Sequence, residues 1–331
     1  MSNALSKNQL SWTQTFTGID LGGGNADGGG ADTAHDDQNG TARQDTGGAR
    51  PAPAPGSPAR GAAPPGGPAA PGGAAQQKTV DDAAKQVNVE SEENLKKYLP
   101  AAKVKLVKDL FANGKPTGEA RKAQIKLYKA MFLDPGFMKR ENERGDKIAA
   151  ELKGDKDIRK DRKDWKTVLP AEKVKTLQKI VDAQSKQYGF PPPRIVLDPP
   201  KPPKNGSITN GQFLAPPAGD GKIHLNPYVD PDNPEDSASF GDFEQAVTTV
   251  LHENGHNYQA RLVKDLRAGK IKPGDPDYAQ ASMFDVNDDG DAYIQFKEDR
   301  DAYKRQPEED HSRTMGPATA GKLTKALDKA N

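Results

Sequence analysis

The chain has 331 residues, 33% of them hydrophobic and 29% charged, so it can hold one to three domains but is too polar to bury all of itself. Its 48 lysines and arginines nearly cancel its 47 aspartates and glutamates, which argues against a partner recruited by bulk charge, whether nucleic acid or anionic membrane. Cysteine is absent, so there is no disulfide framework and no thiolate ligand, and any metal must be held by His, Asp or Glu.

No apolar run approaches the ~20 residues needed to span a bilayer. The start, Met1 to Lys7, lacks the apolar core of a signal peptide. Residues 1–78 read as a disordered leader rich in Gly, Pro and Ala. They hold about half of the 33 glycines and no lysine between Lys7 and Lys78. One island interrupts them, Leu10-Ser-Trp12-Thr-Gln-Thr-Phe16-Thr-Gly-Ile19-Asp-Leu21. It reads either as stray apolar residues in a tail or as a short docking signal for secretion machinery or a chaperone on a flexible tether.

From 79 to 169 the composition turns to Lys, Ala, Glu and Leu with helical periodicity, which predicts a helical module. Leu99-Pro-Ala-Ala-Lys103-Val104-Lys resembles Leu169-Pro-Ala-Glu-Lys173-Val174-Lys. Pro100 and Pro170 each suit the first turn of a helix, so the pair is either a duplicated unit or two similar helix starts.

Residues 170–331 read as an α+β domain. A helix from Pro170 stops at Tyr188-Gly189, and Arg194 to Asp198 is a strand between prolines. Gly211 to Ala215 and Lys222 to Asn226 flank a Pro/Gly turn as a hairpin. Asp242 caps a long helix that buries Phe243, Val247, Val250, Leu251, Tyr258 and Leu262 and ends near Gly269. On it lies His252-Glu253-Asn-Gly-His256, which holds two of the chain's five histidines. Residues four apart share a helix face, so the imidazoles project side by side as metal ligands. Glu253 stands where a carboxylate can take a proton from a metal-activated water. The plainer alternative is two surface histidines on an amphipathic helix.

This order of helix, strand, hairpin and His-Glu-Asn-Gly-His helix resembles the minimal core of zincin metallopeptidases over about residues 170–305. The resemblance implies a zincin-like fold with a small mixed sheet. It also implies zinc, a protein or peptide substrate, and a substrate strand along Ile223 to Asn226, with His224 an ordinary strand residue. Leu262 stands where the metzincin group has its third His. The gluzincin pattern instead implies a Glu on a later helix, which points to Glu298 with Asp301 orienting a ligand His. Asp299, Asp301 and His311 are the other candidates for the third ligand. Tyr303, Tyr293 and His311 are candidates to stabilise the oxyanion.

A competing pattern shares that glutamate. Asn287 to Glu298 resembles a twelve-residue Ca2+ loop, with Ala292 in place of the glycine. The sequence therefore predicts a zinc metalloendopeptidase, exported without a signal peptide as a bacterial effector or toxin. Residence in the cytoplasm is the alternative location. The alternative function is a calcium-binding or protein-interaction module on a degenerate fold.

Overall fold

The long helix that carries the two histidines needs a wall on each side to be buried, and the chain supplies helices on one and a small sheet on the other. In the computed structural model the described residues are 73–131, 133–202, 209–216, 219–228, 240–288 and 292–330. They fall in one compact unit. Four helices come first: α1 (Gly73–Val89), α2 (Glu92–Lys96), α3 (Pro100–Leu110) and α4 (Gly118–Lys129). Then come α5 (Pro135–Leu152), α6 (Lys156–Lys163) and α7 (Pro170–Tyr188). Strands β1 (Ile195–Leu197), β2 (Gly211–Phe213) and β3 (Ile223–Leu225) precede α8 (Phe243–Arg267), α9 (Tyr278–Asn287), α10 (Arg300–Arg305) and α11 (Pro307–Lys329).

Local chemistry explains most of these boundaries. Asp134, Asp155, Asp242 and Asp299 each accept a main-chain N–H from the first turn of the helix that follows. Gly189 ends α7 at φ 78°, a left-handed conformation that glycine adopts without strain. The two similar segments fold alike. Leu99 and Leu169 are exposed residues just before a proline-started helix, and Lys103 and Lys173 four residues on are buried. Each lysine finds a main-chain carbonyl, of Lys96 and Phe240 respectively, and burial lowers the pKa of both ammonium groups.

The fold is α+β, mostly helical with one small mixed sheet in the order β1-β3-β2. β3 pairs parallel with β1, Ile195 opposite Ile223, and antiparallel with β2, Gly211 opposite Leu225. The hairpin is as expected, but the zincin-like substrate strand is not: β3 is central, its main chain used on both sides. β2 is the edge strand that adjoins α8. Three short strands do not make the zincin core that the resemblance implied.

Two further expectations change. The leader expected over 1–78 lies outside the described residues up to 72, and Gly73 to Lys78 already belong to α1. The boundary expected at 169/170 does not separate two cores. Ile148 and Leu152 of α5, Ile158 of α6 and Trp165 pack in the same cluster as Leu177, Ile180, Val247 and Leu251. Residues from α1, α3 and α4 form a second cluster that takes in Met283, Val286, Ile294 and Ala302. The helical module is thus continuous with the region that carries the histidines. Among the described residues no helix is long and apolar enough to cross a membrane.

Candidate metal centre

α8 and α11 cross closely because small residues meet at the crossing. A Cβ on Gly255 would come within 2.8 Å of Ser312 Oγ, and one on Gly316 within 3.1 Å of the Thr248 carbonyl oxygen. This approach brings the first turn of α11 over the face of α8 that carries the motif. His252 Nε2 and His256 Nε2 lie 3.0 Å apart. Glu309 reaches both, with Oε2 3.9 Å from His252 Nε2 and Oε1 3.9 Å from His256 Nε2. One ligand atom from each of the three residues lies within 4.8 Å of the others, and all three side chains are buried. Among the described residues this is the one such group of three or more.

The donor set fits a metal ion. Ligand atoms bound tetrahedrally at ~2.0–2.1 Å would be about 3.3 Å from one another. The observed 3.0 and 3.9 Å separations bracket that value. Burial, the largest influence, holds both imidazoles below their usual pKa, and the charge on Arg313 pushes the same way. A neutral ring is the form that ligates. Two neutral nitrogens and one carboxylate would balance a divalent cation better than they balance each other.

Glu253 sits on the sheet side of α8, 1% exposed. Its carboxylate accepts the Phe213 N–H from edge strand β2, and burial first, then the nearby Glu309, hold its pKa well above the usual carboxylate range. Gly211 leaves room for it: a Cβ there would lie 3.1 Å from Glu253 Cγ and 2.7 Å from Thr249 Cγ2. Glu253 Oε2 is buried without a hydrogen-bond partner. A buried orphan oxygen is costly, and a ligand that supplies a proton or positive charge removes the cost.

His252 and His256 face one another with Glu253 beside them on α8, and the carboxylate that meets the two imidazoles is Glu309, not the expected Glu298. Asp299 caps α10 by accepting the Ala302 N–H, so the helix begins after Glu298 and the two acids Glu298 and Asp301 do not share a helical face. Glu298 takes Arg121 Nε at 2.6 Å and Nη2 at 2.7 Å, on the outside of α4. Asp299 also pairs with Lys129, and Asp301 is exposed, so neither orients a ligand His. His311 is buried with both ring nitrogens engaged, Nδ1 by Gln259 and Nε2 by Glu141, which leaves it neither to bind metal nor to meet a substrate. Tyr293, not Tyr303, touches the ligand set, donating to Glu309 Oε1 at 2.7 Å. Tyr303 stands behind it, edge-on to Tyr293 and under the Arg313 guanidinium. Arg313 Nε is 3.3 Å from Glu309 Oε2.

The ends of the Ca2+ loop pattern have other partners. Its centre, 289–291, lies outside the described residues. Asn287 donates to Gln306 and accepts the Glu308 N–H, and Glu298 holds Arg121.

A sequence signal for Glu309 existed. Pro307 followed by Glu308, Glu309 and Asp310 is a helix start with an acidic first turn, and Ser312, Gly316 and Ala320 at intervals of four mark a face made for close packing. No protein-family model matches the chain, and neither a curated protein nor a solved structure resembles it, so the centre rests on its own geometry.

Proposed function

We propose that this protein is a zinc-dependent hydrolase that cleaves peptide bonds, with His252, His256 and Glu309 holding the ion and Glu253 handling the proton. The observation that carries the reading is the meeting of three neutral-or-anionic ligand atoms beside a second buried carboxylate, Glu253, one of whose oxygens has no hydrogen-bond partner. A structural metal site has no use for Glu253, whereas hydrolysis needs a base at that place. An ion held by His252, His256 and Glu309 would supply Lewis-acid chemistry, acidifying water and polarising a carbonyl. Glu253 is placed to receive a proton and later return it to the leaving amine. Burial and the nearby Glu309 raise its pKa, which makes the ionised carboxylate a stronger proton acceptor than an exposed one. Tyr293 and Arg313 anchor Glu309 from the far side.

The substrate class follows the resemblance, with one change. β3 has no free edge, so an extended peptide is assigned to the outer side of β2, where the Phe213 N–H already meets Glu253. Export as an effector-like protein through the leader of residues 1–78 belongs to the same proposal. A second reading, a purely structural metal, draws on the near-complete burial of the ligands, His252 at 1% and His256 at 4% exposed.

One experiment separates them. The purified protein is analysed for zinc and assayed on a mixed peptide library, alongside Glu253→Gln and His252→Ala. Peptidase action predicts one zinc in the native protein and in Glu253→Gln, with activity about 10²- to 10⁴-fold lower in the latter. Zinc without cleavage in the native protein selects the structural reading, and native-like cleavage by Glu253→Gln rejects the mechanism.

A further inference from the structure

We propose that Gln259 is a positioning residue: it holds His256 in the tautomer that presents Nε2 as a bare lone pair, at the centre of a buried hydrogen-bond relay that ends on Glu141. The purpose of the relay rests on the metal reading above, but its geometry does not.

Gln259 lies three residues after His256 on the same face of α8 and is 1% exposed. Its Oε1 is 2.8 Å from His256 Nδ1. Its Nε2 donates to the main-chain carbonyl of Glu308 at 2.8 Å, with His311 Nδ1 at 2.9 Å and Ser312 Oγ at 3.1 Å on its other side. Turning the amide over would set Oε1 against the Glu308 carbonyl, two acceptors with no hydrogen between them. The main chain at the start of α11 therefore decides which end of the amide faces His256. An amide oxygen only accepts, so the hydrogen of the neutral His256 ring sits on Nδ1 and its lone pair on Nε2. That Nε2 is the atom facing His252 and Glu309.

The same logic fixes the next members. Gln259 Nε2 donates to His311 Nδ1, so the hydrogen of His311 is on Nε2, 3.2 Å from Glu141 Oε2. Tyr188 donates to that same oxygen at 2.7 Å. Arg144 pairs with the other oxygen of Glu141 and donates to Tyr258 at 2.9 Å. Four helices, α5, α7, α8 and α11, contribute to this relay. The sequence carried no sign of this, because Gln259 is an ordinary polar residue until α11 covers it. Groups behind a metal-ligating imidazole that set its tautomer are worth about 10–100-fold in metal affinity.

The test uses the full-length, metal-free protein with ¹⁵N-labelled histidine. Long-range ¹H–¹⁵N correlation spectra report which nitrogen of His256 carries the hydrogen, and a chelator competition reports zinc affinity. The expected native state has Nδ1–H. Gln259→Met keeps the length of the side chain without a polar atom, and is expected to populate Nε2–H and to bind zinc about 10–100-fold more weakly. A native His256 in the Nε2–H form overturns the proposal and needs no variant. Gln259→Met with the native tautomer and native zinc affinity overturns it too. A native protein with Nδ1–H that takes up no zinc upholds the relay and overturns the metallohydrolase reading instead.

Discussion

Glu298 and Glu309 are eleven residues apart and sit in two seams of the molecule that treat a carboxylate in opposite ways. Where α4 meets the turn before α10, Glu298 is a third exposed and is satisfied by the guanidinium of Arg121. Where α8 crosses α11, Glu309 is 1% exposed and is met by Tyr293 and Arg313 on one side and two imidazoles on the other. At the rim an ion pair is a local convenience of modest worth. In the interior the partners are fixed by the packing, and a carboxylate that faces two neutral nitrogens forms a group that could hold a metal ion.

The sharpest way to break this contrast is to remove each acid in turn. Glu309→Ala is expected to abolish stoichiometric zinc binding, and activity with it, while Glu298→Ala keeps both, as read by metal analysis and peptide cleavage. Equal zinc content in the two variants would erase the distinction between the seams. Zinc added at one hundred times its dissociation constant should stabilise the native protein by about 2.7 kcal/mol in denaturant titrations, and chelation should reverse this. No shift would mean that the buried seam is complete without an ion.

The crossing itself can be loosened. A Cβ on Gly316 would lie 3.1 Å from the Thr248 carbonyl oxygen and 3.4 Å from His252 N, so Gly316→Val must push the helices apart. A cost of about 1–3 kcal/mol is expected, together with weaker zinc binding. Arg121→Ala, at the rim, should cost within about 1 kcal/mol and leave zinc binding unchanged. The smallest effect concerns pH. Partial burial lowers the pKa of His224, but Asp198 at 2.8 Å and Asp220 at 3.2 Å outweigh it and raise it from 6.5. Its contribution is therefore fully present below that unfolded value and is lost as pH rises through the higher folded one. His224→Gln should flatten that part of the stability–pH curve, by less than about 1 kcal/mol.

Features encoded within a few residues were readable from the chain alone. The paired histidines and their glutamate follow from helical spacing. The Asp242 cap, the Gly189 stop and the β2–β3 hairpin follow from side-chain and backbone preferences that act over three or four positions. What went astray depended on distance. Glu298 looked suitable because it could share a helix with Asp301, and one capping hydrogen bond from Asp299 started that helix too late. β3 looked like an edge until β1 paired with its far side.

The two imidazoles are a property of one helical turn, and nothing outside α8 is needed to put them side by side. The carboxylate that completes them is a property of a crossing, made when Gly255 and Gly316 let α11 lie close enough for Glu309 to reach across. Local order needs only the chain's own short-range geometry, whereas a contact between residues 252 and 309 exists only once the helices that bear them have buried their shared face.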